Sequence, residues 1–297
     1  MEENMTCNIC PRNCSAKRSK NPGFCCMGEM PVVSKAYLHM WEEPCISGVN
    51  GSGTVFFSGC NLKCVFCQNY KISQENFGIE ITTDKLAQIF INLQQKGAHN
   101  INLVNPTHFV KQIREALQKA EGLKIPVVYN SNGYEKVETL RTMEGMINVY
   151  LPDLKYYNPE VSKKYSAASD YFEVATAAIL EMYRQVGGVV FDENGLLKKG
   201  MIIRHLILPG MAKQSIKILD WIKANLPGDI LISLMSQYTP YYKAEKHPEI
   251  NRRITRYEYD MVVNHCIKIG LDNGYIQERD SAEEEYIPDF NLEGVDF

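Results

Sequence analysis

Short apolar runs and amphipathic stretches alternate along most of this chain, beginning near residue 54. Runs of four to six largely apolar residues between turn residues predict strands that are buried in a sheet. The predicted strands are 54–57, 100–104, 125–129, 147–151, 201–206, 230–235 and 274–277. Apolar residues at helical spacing, such as Leu86, Ile89, Phe90 and Leu93, predict helices between these strands. The predicted helices are 83–95, 110–120, 135–143, 159–165, 171–184, 214–224 and 257–269.

Strands that alternate with helices predict βα units around a parallel sheet, so the expected fold class is α/β. About six such units fit a partial (β/α)6-type barrel, in which active sites lie at the carboxyl ends of the strands. Each predicted strand up to residue 235 ends in a polar segment, and the first of them ends in a cysteine loop. We expect three segments, which are a Cys-rich extension at 1–48, the partial barrel at 49–280 and an acidic tail at 281–297.

The composition is that of a globular protein, with 297 residues of which 45% are apolar and 23% are charged. A net charge of −3 gives no general attraction to nucleic acids or anionic lipids. The amino-terminal residues have no apolar segment typical of a secretory signal, and no apolar run approaches the length of a membrane span. We therefore expect a cytoplasmic protein without nucleic-acid or membrane partners.

Eight of the ten cysteines lie in two groups whose spacing is typical of metal ligands. Cys60, Cys64 and Cys67 follow the spacing C-x3-C-x2-C, which places three thiolates in one short loop. Three thiolates can hold three irons of a [4Fe–4S] cluster and leave the fourth iron open to a small molecule. A zinc loop, or cysteines that lie together by chance, is the alternative interpretation.

The second group lies near the amino terminus and consists of Cys7, Cys10, Cys14, Cys25 and Cys26. Four thiolates from such a short segment would hold either a structural zinc ion or a second iron–sulfur cluster. The sequence does not choose between the two metals, nor between Cys25 and Cys26 as the fourth ligand. Unliganded thiols on a flexible arm are the alternative.

The cysteine loop GCNLKCVFCQNY, with the aromatic Phe66 before the last cysteine, resembles the defining motif of the radical S-adenosylmethionine (SAM) superfamily. The segments NSNGY, LPDLKY and HLILPG make the chain similar to the branch that is related to pyruvate formate-lyase activating enzymes. The resemblance implies a partial barrel and a cluster whose open iron binds SAM. It also implies reductive cleavage of SAM to a 5′-deoxyadenosyl radical, which abstracts a hydrogen atom from a substrate.

The resemblance also implies which residues contact SAM. Phe66 would lie over the adenine edge, or simply pack the cluster loop against the barrel. Asn105 or Thr107 would stand in for the Gly-Gly-Glu of activating enzymes, which this chain lacks. The remaining expected contacts are Asn132, the pair Asp153 and Lys155, and His205. A polar turn is the alternative for Asp153 and Lys155, and a hydrogen-bonded core histidine is the alternative for His205.

Two classes of function are consistent with these patterns. The first is a radical SAM oxidoreductase, either an activase of a glycyl-radical enzyme or an enzyme that modifies a peptide or a small molecule. It would take electrons from a donor such as flavodoxin or ferredoxin. The second is a non-catalytic iron–sulfur or zinc protein for electron transfer or scaffolding. The polar residues at the strand ends favour the enzyme, and they do not identify its substrate.

Overall fold

A computed structural model of the protein describes residues 6–277 and 288–295. In these residues one mixed sheet forms the centre of the molecule. Its strands are β1 (Val32–His39), β2 (Ser52–Phe57), β3 (Ile79–Glu80), β4 (Ile101–Val104), β5 (Val127–Ser131), β6 (Val149–Pro152), β7 (Val190–Phe191), β8 (Leu197–Leu206), β9 (Leu231–Met235) and β10 (Gly274–Ile276). Their spatial order is β10-β9-β8-β6-β5-β4-β2-β1-β3, and β7 pairs with β8.

The strands from β2 to β10, apart from β3 and the short β7, run parallel to one another. β2, β5 and β9 are buried along their whole length, as expected for parallel strands that are covered on both faces. The sheet does not close, because β3 and β10 form its two ends. The predicted α/β class and partial barrel are therefore confirmed.

Helices connect the parallel strands and cover the outside of the sheet. They are α1 (Pro44–Ser47), α2 (Tyr70–Ser73), α3 (Thr83–Gln95), α4 (Val110–Lys119), α5 (Val137–Arg141), α6 (Pro159–Ser166), α7 (Tyr171–Val186), α8 (Ala212–Asn225) and α9 (Arg256–Lys268). α3 begins where the Thr82 side chain accepts a hydrogen bond from the amide of Lys85. In the described part of the chain, no helix has both the length and the apolar character that crossing a bilayer requires.

α1 closes one end of the barrel interior. Its Cys45 and Ile46 pack among apolar side chains near the amino ends of the parallel strands, including Val128 and Val149. This packing excludes water from the amino end of the interior, so the carboxyl ends of the strands are left as the accessible side.

The sheet begins earlier in the chain than the predicted barrel does. β1 lies within 1–48 and pairs antiparallel with both β2 and β3, so the Cys-rich segment without regular structure ends just before residue 32. Residues 288–295 also attach to β1, through Leu292 and Glu293, whose backbones bond to Ser34 and Ala36. Of the predicted acidic tail, residues 281–287 and 296–297 lie outside the described residues.

Candidate active site

A cavity of about 300 Å³ opens at the carboxyl ends of the parallel strands. The cysteine loop enters it directly from β2, because Phe57 ends the strand and Cys60 follows three residues later. Most of the residues that the sequence analysis singled out share this cavity. Its lining includes Cys60, Cys64, Cys67, Phe66, Asn105, Asn132, Asp153 and Lys155.

Each thiol in the cavity has a polar neighbour that can donate to a thiolate. The amide nitrogen of Asn132 lies 3.4 Å from the Cys60 sulfur. The hydroxyl oxygens of Ser166 and Ser73 lie 2.9 and 3.2 Å from the sulfurs of Cys64 and Cys67. Burial raises the pKa of Cys60 and of Cys64 to about 11, so both remain thiols unless a cation offsets the desolvation. Buried thiols with aligned donors are a ligand set that a metal would convert to thiolates.

The three thiols of the cysteine loop line one cavity. In residues 6–277 and 288–295, no three His, Cys, Asp or Glu side chains are grouped so that they could hold one metal ion. Three thiols around a shared cavity are the protein ligands that a four-iron cluster with one open iron needs.

Asn105 fixes the cysteine loop from the end of β4. Its backbone lies in the left-handed region with φ of 58°, and its side-chain amide donates to the Gly59 carbonyl at 2.6 Å. Thr107, the other candidate for the position of the missing Gly-Gly-Glu, is buried and donates to Glu135 at 2.6 Å. Thr107 does not line the cavity, so its side chain holds the loop after β4 instead of facing a cofactor.

A layer of buried charges forms the floor of the cavity. The Asp153 carboxylate lies between the ammonium of Lys155 at 2.5 Å and the guanidinium nitrogen Nε of Arg204 at 2.9 Å. Burial alone would raise the pKa of Asp153, but Arg204 and Lys155 hold it below its usual value. Arg204 also contacts Glu42 at 3.2 Å and Asn130 at 2.6 Å.

The sequence analysis missed Arg204 and Glu42. The signal for Arg204 was a lone cationic residue inside an otherwise apolar strand, one position before His205. Glu42 belongs to the loop between β1 and α1, and its carboxylate also accepts from Asn102 at 2.9 Å. No local pattern predicts that this loop enters the barrel.

His205 points away from the cavity. Its ring nitrogens bond to the Leu154 carbonyl at 2.6 Å and to the Ser215 hydroxyl at 2.8 Å. Burial lowers the pKa of His205 to about 4, so the ring is neutral at pH 7. Successive residues of a strand face opposite sides, so Arg204 faces the interior while His205 faces α8. In this arrangement His205 has the contacts of the alternative, a hydrogen-bonded core histidine, and its contact with the ribose stays a prediction.

Comparison with known proteins identifies the family. The model of the Radical SAM superfamily matches residues 54–222, which include β2, the cysteine loop and most of the parallel sheet. The chain belongs to the radical SAM superfamily. It is 34% identical over 276 residues to MJ0674, an uncharacterized protein of Methanocaldococcus jannaschii, with 90% of this chain and 75% of that protein covered.

Two solved structures share the radical SAM fold with this chain at low sequence identity. Streptococcus suis SuiB matches 79% of this chain with 16% identity and a TM-score of 0.51. A spore photoproduct lyase mutant matches 74% of this chain with 10% identity and the same TM-score of 0.51. The chain spans about half the length of SuiB, with 50% of SuiB covered. These likenesses concern the fold alone.

The radical SAM fold implies a [4Fe–4S] cluster and S-adenosylmethionine as cofactors. The cavity fits that pair chemically, since it offers three thiols together with a carboxylate and an ammonium. Its volume is at the lower end of the range of small-molecule sites, which is about 300–1,000 Å³. Phe66 lines this radical SAM cavity and also packs edge-on against Tyr238, with ring centroids 5.5 Å apart. Both interpretations of Phe66 are therefore compatible with its position.

Proposed function

We propose that this protein is a radical SAM oxidoreductase that reductively cleaves S-adenosylmethionine and abstracts a hydrogen atom from a substrate. One observation carries the proposal, which is that three thiols and the Asp153–Lys155 pair line the same cavity. A non-catalytic iron–sulfur protein would need neither an open cavity beside its thiols nor charged groups buried in it. The proposal thus assigns a role to the three thiols and to the Asp153–Lys155 pair.

The residues of the chain would act mainly by holding and orienting. Cys60, Cys64 and Cys67 would bind three irons, and the bound cluster with SAM supplies one-electron cleavage of the sulfonium bond. The Lys155 ammonium would pair with the methionine carboxylate of SAM. Asp153 keeps acceptor capacity, because a carboxylate offers about four acceptor sites and Lys155 and Arg204 occupy two of them. Its free positions would accept from the ribose hydroxyls.

Two further side chains would complete the SAM site. Asn132 donates to both Cys60 and the Asn61 side chain, so its amide is fixed beside the Cys60 sulfur. Phe66 would cover the adenine edge. Asn105, which is already bonded to Gly59, would contribute a carbonyl oxygen to an ammonium more weakly than a glutamate does. We propose that SAM binding therefore depends more on Lys155 and Asp153 here than in activating enzymes.

For the substrate, we propose a backbone glycine of a partner enzyme as the first candidate, on the resemblance of LPDLKY and HLILPG to activating enzymes. A peptide or a small molecule is the second candidate, and the missing Gly-Gly-Glu favours it. A protein-based organic radical in the partner, detected by EPR after the reaction, would support the activase. Transfer of deuterium from a labelled small molecule into 5′-deoxyadenosine would support the alternative.

The cleavage itself is tested with anaerobic, reconstituted and reduced protein. We expect SAM to be converted to 5′-deoxyadenosine and methionine in equal amounts. Replacing Cys60, Cys64 and Cys67 with Ala should abolish the product, whereas the matched control Cys26→Ala should retain it, because the Cys26 side chain is exposed and does not line the cavity. Formation of 5′-deoxyadenosine by the triple variant would contradict the proposal.

A further inference from the structure

We propose that Cys7, Cys10, Cys14 and Cys25 bind a second iron–sulfur cluster, and that this cluster lies directly against the loop that holds the first. The inference goes beyond the proposed function, because it concerns residues outside the radical SAM cavity. These four residues belong to the segment 6–31, which contains neither a helix nor a strand.

Backbone turns bring the four thiols together. The amide of Cys7 donates to Ala16 at 2.9 Å, and the amide of Ser15 donates back to Cys7 at 3.1 Å. Gly23 lies next to the sulfurs of Cys14 and Cys25. A Cβ on Gly23 would lie 3.4 Å from the Cys14 sulfur and 3.5 Å from the Cys25 sulfur. The absence of a side chain at this position leaves room between thiols from the two halves of the segment.

The geometry distinguishes Cys25 from Cys26. Cys25 is buried in the main hydrophobic core beside Met27, whereas Cys26 is exposed. Cys26 has a left-handed backbone with φ of 64°, and its sulfur lies 3.7 Å from the Phe24 carbonyl and 3.9 Å from the Lys63 ammonium. Its side chain therefore points to the surface and not toward the other thiols.

Side-chain hydrogen bonds from two arginines hold the segment. The buried Arg18 guanidinium donates to the carbonyls of Met27, Gly28 and His108, and Arg12 donates to three carbonyls of the barrel. About 25 residues without regular structure bury too little apolar surface to fold alone, so segments of this size usually require metal or disulfides. The four thiols are free and not paired in disulfides. A metal bound by them would supply the missing free energy of folding.

The neighbouring centre favours a cluster over a single zinc ion at the second site. Four thiolates can hold either kind of centre, so the ligand set alone is compatible with both. The cysteine loop beside the segment belongs to a family that uses a four-iron cluster. We therefore propose the same kind of centre at the second site.

The second site touches the first loop at two places. The Cys25 carbonyl lies 2.7 Å from where a Cβ would stand on Gly59, the residue before Cys60. This close approach, together with φ of 80° at Gly59, requires glycine there. Arg12 makes the second contact by donating to the Asn61 carbonyl at 2.7 Å. The backbone of Cys25 and the side chain of Met27 therefore pack against the residue that precedes Cys60.

Metal analysis of the full chain tests the site independently of SAM chemistry. With four irons in each cluster, we expect about eight irons in the wild type and about four in the variant that lacks Cys60, Cys64 and Cys67. A variant with Ala at all four positions, Cys7, Cys10, Cys14 and Cys25, should contain about four irons, and the matched control Cys26→Ala about eight. The triple variant cannot hold the first cluster, so its iron content does not depend on whether the wild type cleaves SAM. Zinc without iron in the triple variant, or neither metal, would overturn the proposal.

EPR of the fully reduced proteins tests the proximity of the two clusters. Two paramagnetic centres held by adjoining segments should broaden each other's signals through spin coupling. The wild-type spectrum should therefore differ from the sum of the spectra of the triple variant and of the variant with Ala at Cys7, Cys10, Cys14 and Cys25. Spectra that add without any change would overturn the placement of the second cluster beside the first.

Discussion

The buried charge layer beneath the cavity allows a quantitative prediction for Arg204→Met. Methionine approximately retains the aliphatic volume of the side chain and removes the guanidinium. In the wild type that guanidinium contacts Asp153 at 2.9 Å and Glu42 at 3.2 Å, and the Arg204 side chain is only 15% exposed. The substitution leaves two buried carboxylates with Lys155 as the remaining cation of the layer.

The expected loss follows from the cost of an uncompensated buried charge. Removing one partner of a buried ion pair lowers the free energy of unfolding by about 3–5 kcal/mol. Adding Glu42→Gln to Arg204→Met removes the carboxylate that has lost its partner. The double variant should therefore be more stable than the sum of the two single losses predicts, by about 0.5–3 kcal/mol.

The assay is urea unfolding under anaerobic conditions, at the same cluster content for every variant, followed by circular dichroism. Arg256→Met is the matched control, because Arg256 contacts Asp260 at 3.4 Å and both side chains are exposed, by 82% and 48%. Exposed ion pairs contribute about 0–1 kcal/mol, so the control should lose little. Equal losses for the two arginine variants, or strict additivity of Arg204→Met and Glu42→Gln, would refute the argument from burial.

Three further predictions concern other parts of the fold. Gly133→Ala should destabilise the protein by more than about 2 kcal/mol, because the added Cβ would lie 2.1 Å from the Asp153 carbonyl oxygen at a backbone φ of 78°. Gly97→Ala is the control, since its Cβ would enter open space and should cost less. Equal urea midpoints for the two variants would contradict this argument. The pKa of His205 is about 4 in the folded protein and about 6.5 in the unfolded chain, so the unfolded chain binds more protons between pH 7 and pH 5. Lowering the pH over this range should therefore reduce the free energy of unfolding by about 2 kcal/mol through His205. His205→Asn should reduce this pH dependence of the urea midpoint. Phe290→Ala should lower the free energy of unfolding by about 3 kcal/mol, because this aromatic ring is 4% exposed, and an unchanged midpoint would show that residues 288–295 do not contribute to folding.

The parallel strands could be predicted from the sequence because each buried strand is a short apolar run that is visible without knowing its partners. Each predicted strand from 54–57 to 274–277 overlaps a strand of the sheet, and the cysteine loop lies at the end of β2 as expected. The same positional argument brought Asn132, Asp153 and Lys155 to one cavity. These predictions succeeded because parallel strands place their carboxyl ends at one edge of the sheet.

The expected and the observed surroundings of a residue differ where the direction of its side chain mattered more than its position in the chain. His205 and Arg204 are neighbours at the end of β8, and the strand alternation turns the cation and not the imidazole toward the cavity. Thr107 lies in the correct loop but bonds to Glu135. The sequence analysis missed β1 because this strand pairs with antiparallel strands outside the βα pattern. It missed Glu42 because the loop after β1, which carries this residue, enters the barrel from outside the βα repeat. Such long-range contacts have no local periodicity.

The attachment of residues 288–295 to β1 has a consequence for anyone who labels or immobilises this protein. Pro288 lines the cavity and Phe290 packs against Phe56, and the segment 6–31 contacts the cysteine loop of the same cavity. A bulky affinity tag fused beside either segment would lie close to the cavity. The turn between β7 and β8 is a better position, since Glu193 and Asn194 are exposed and far from the cavity lining. A fluorophore or tether inserted there should leave cofactor loading unchanged.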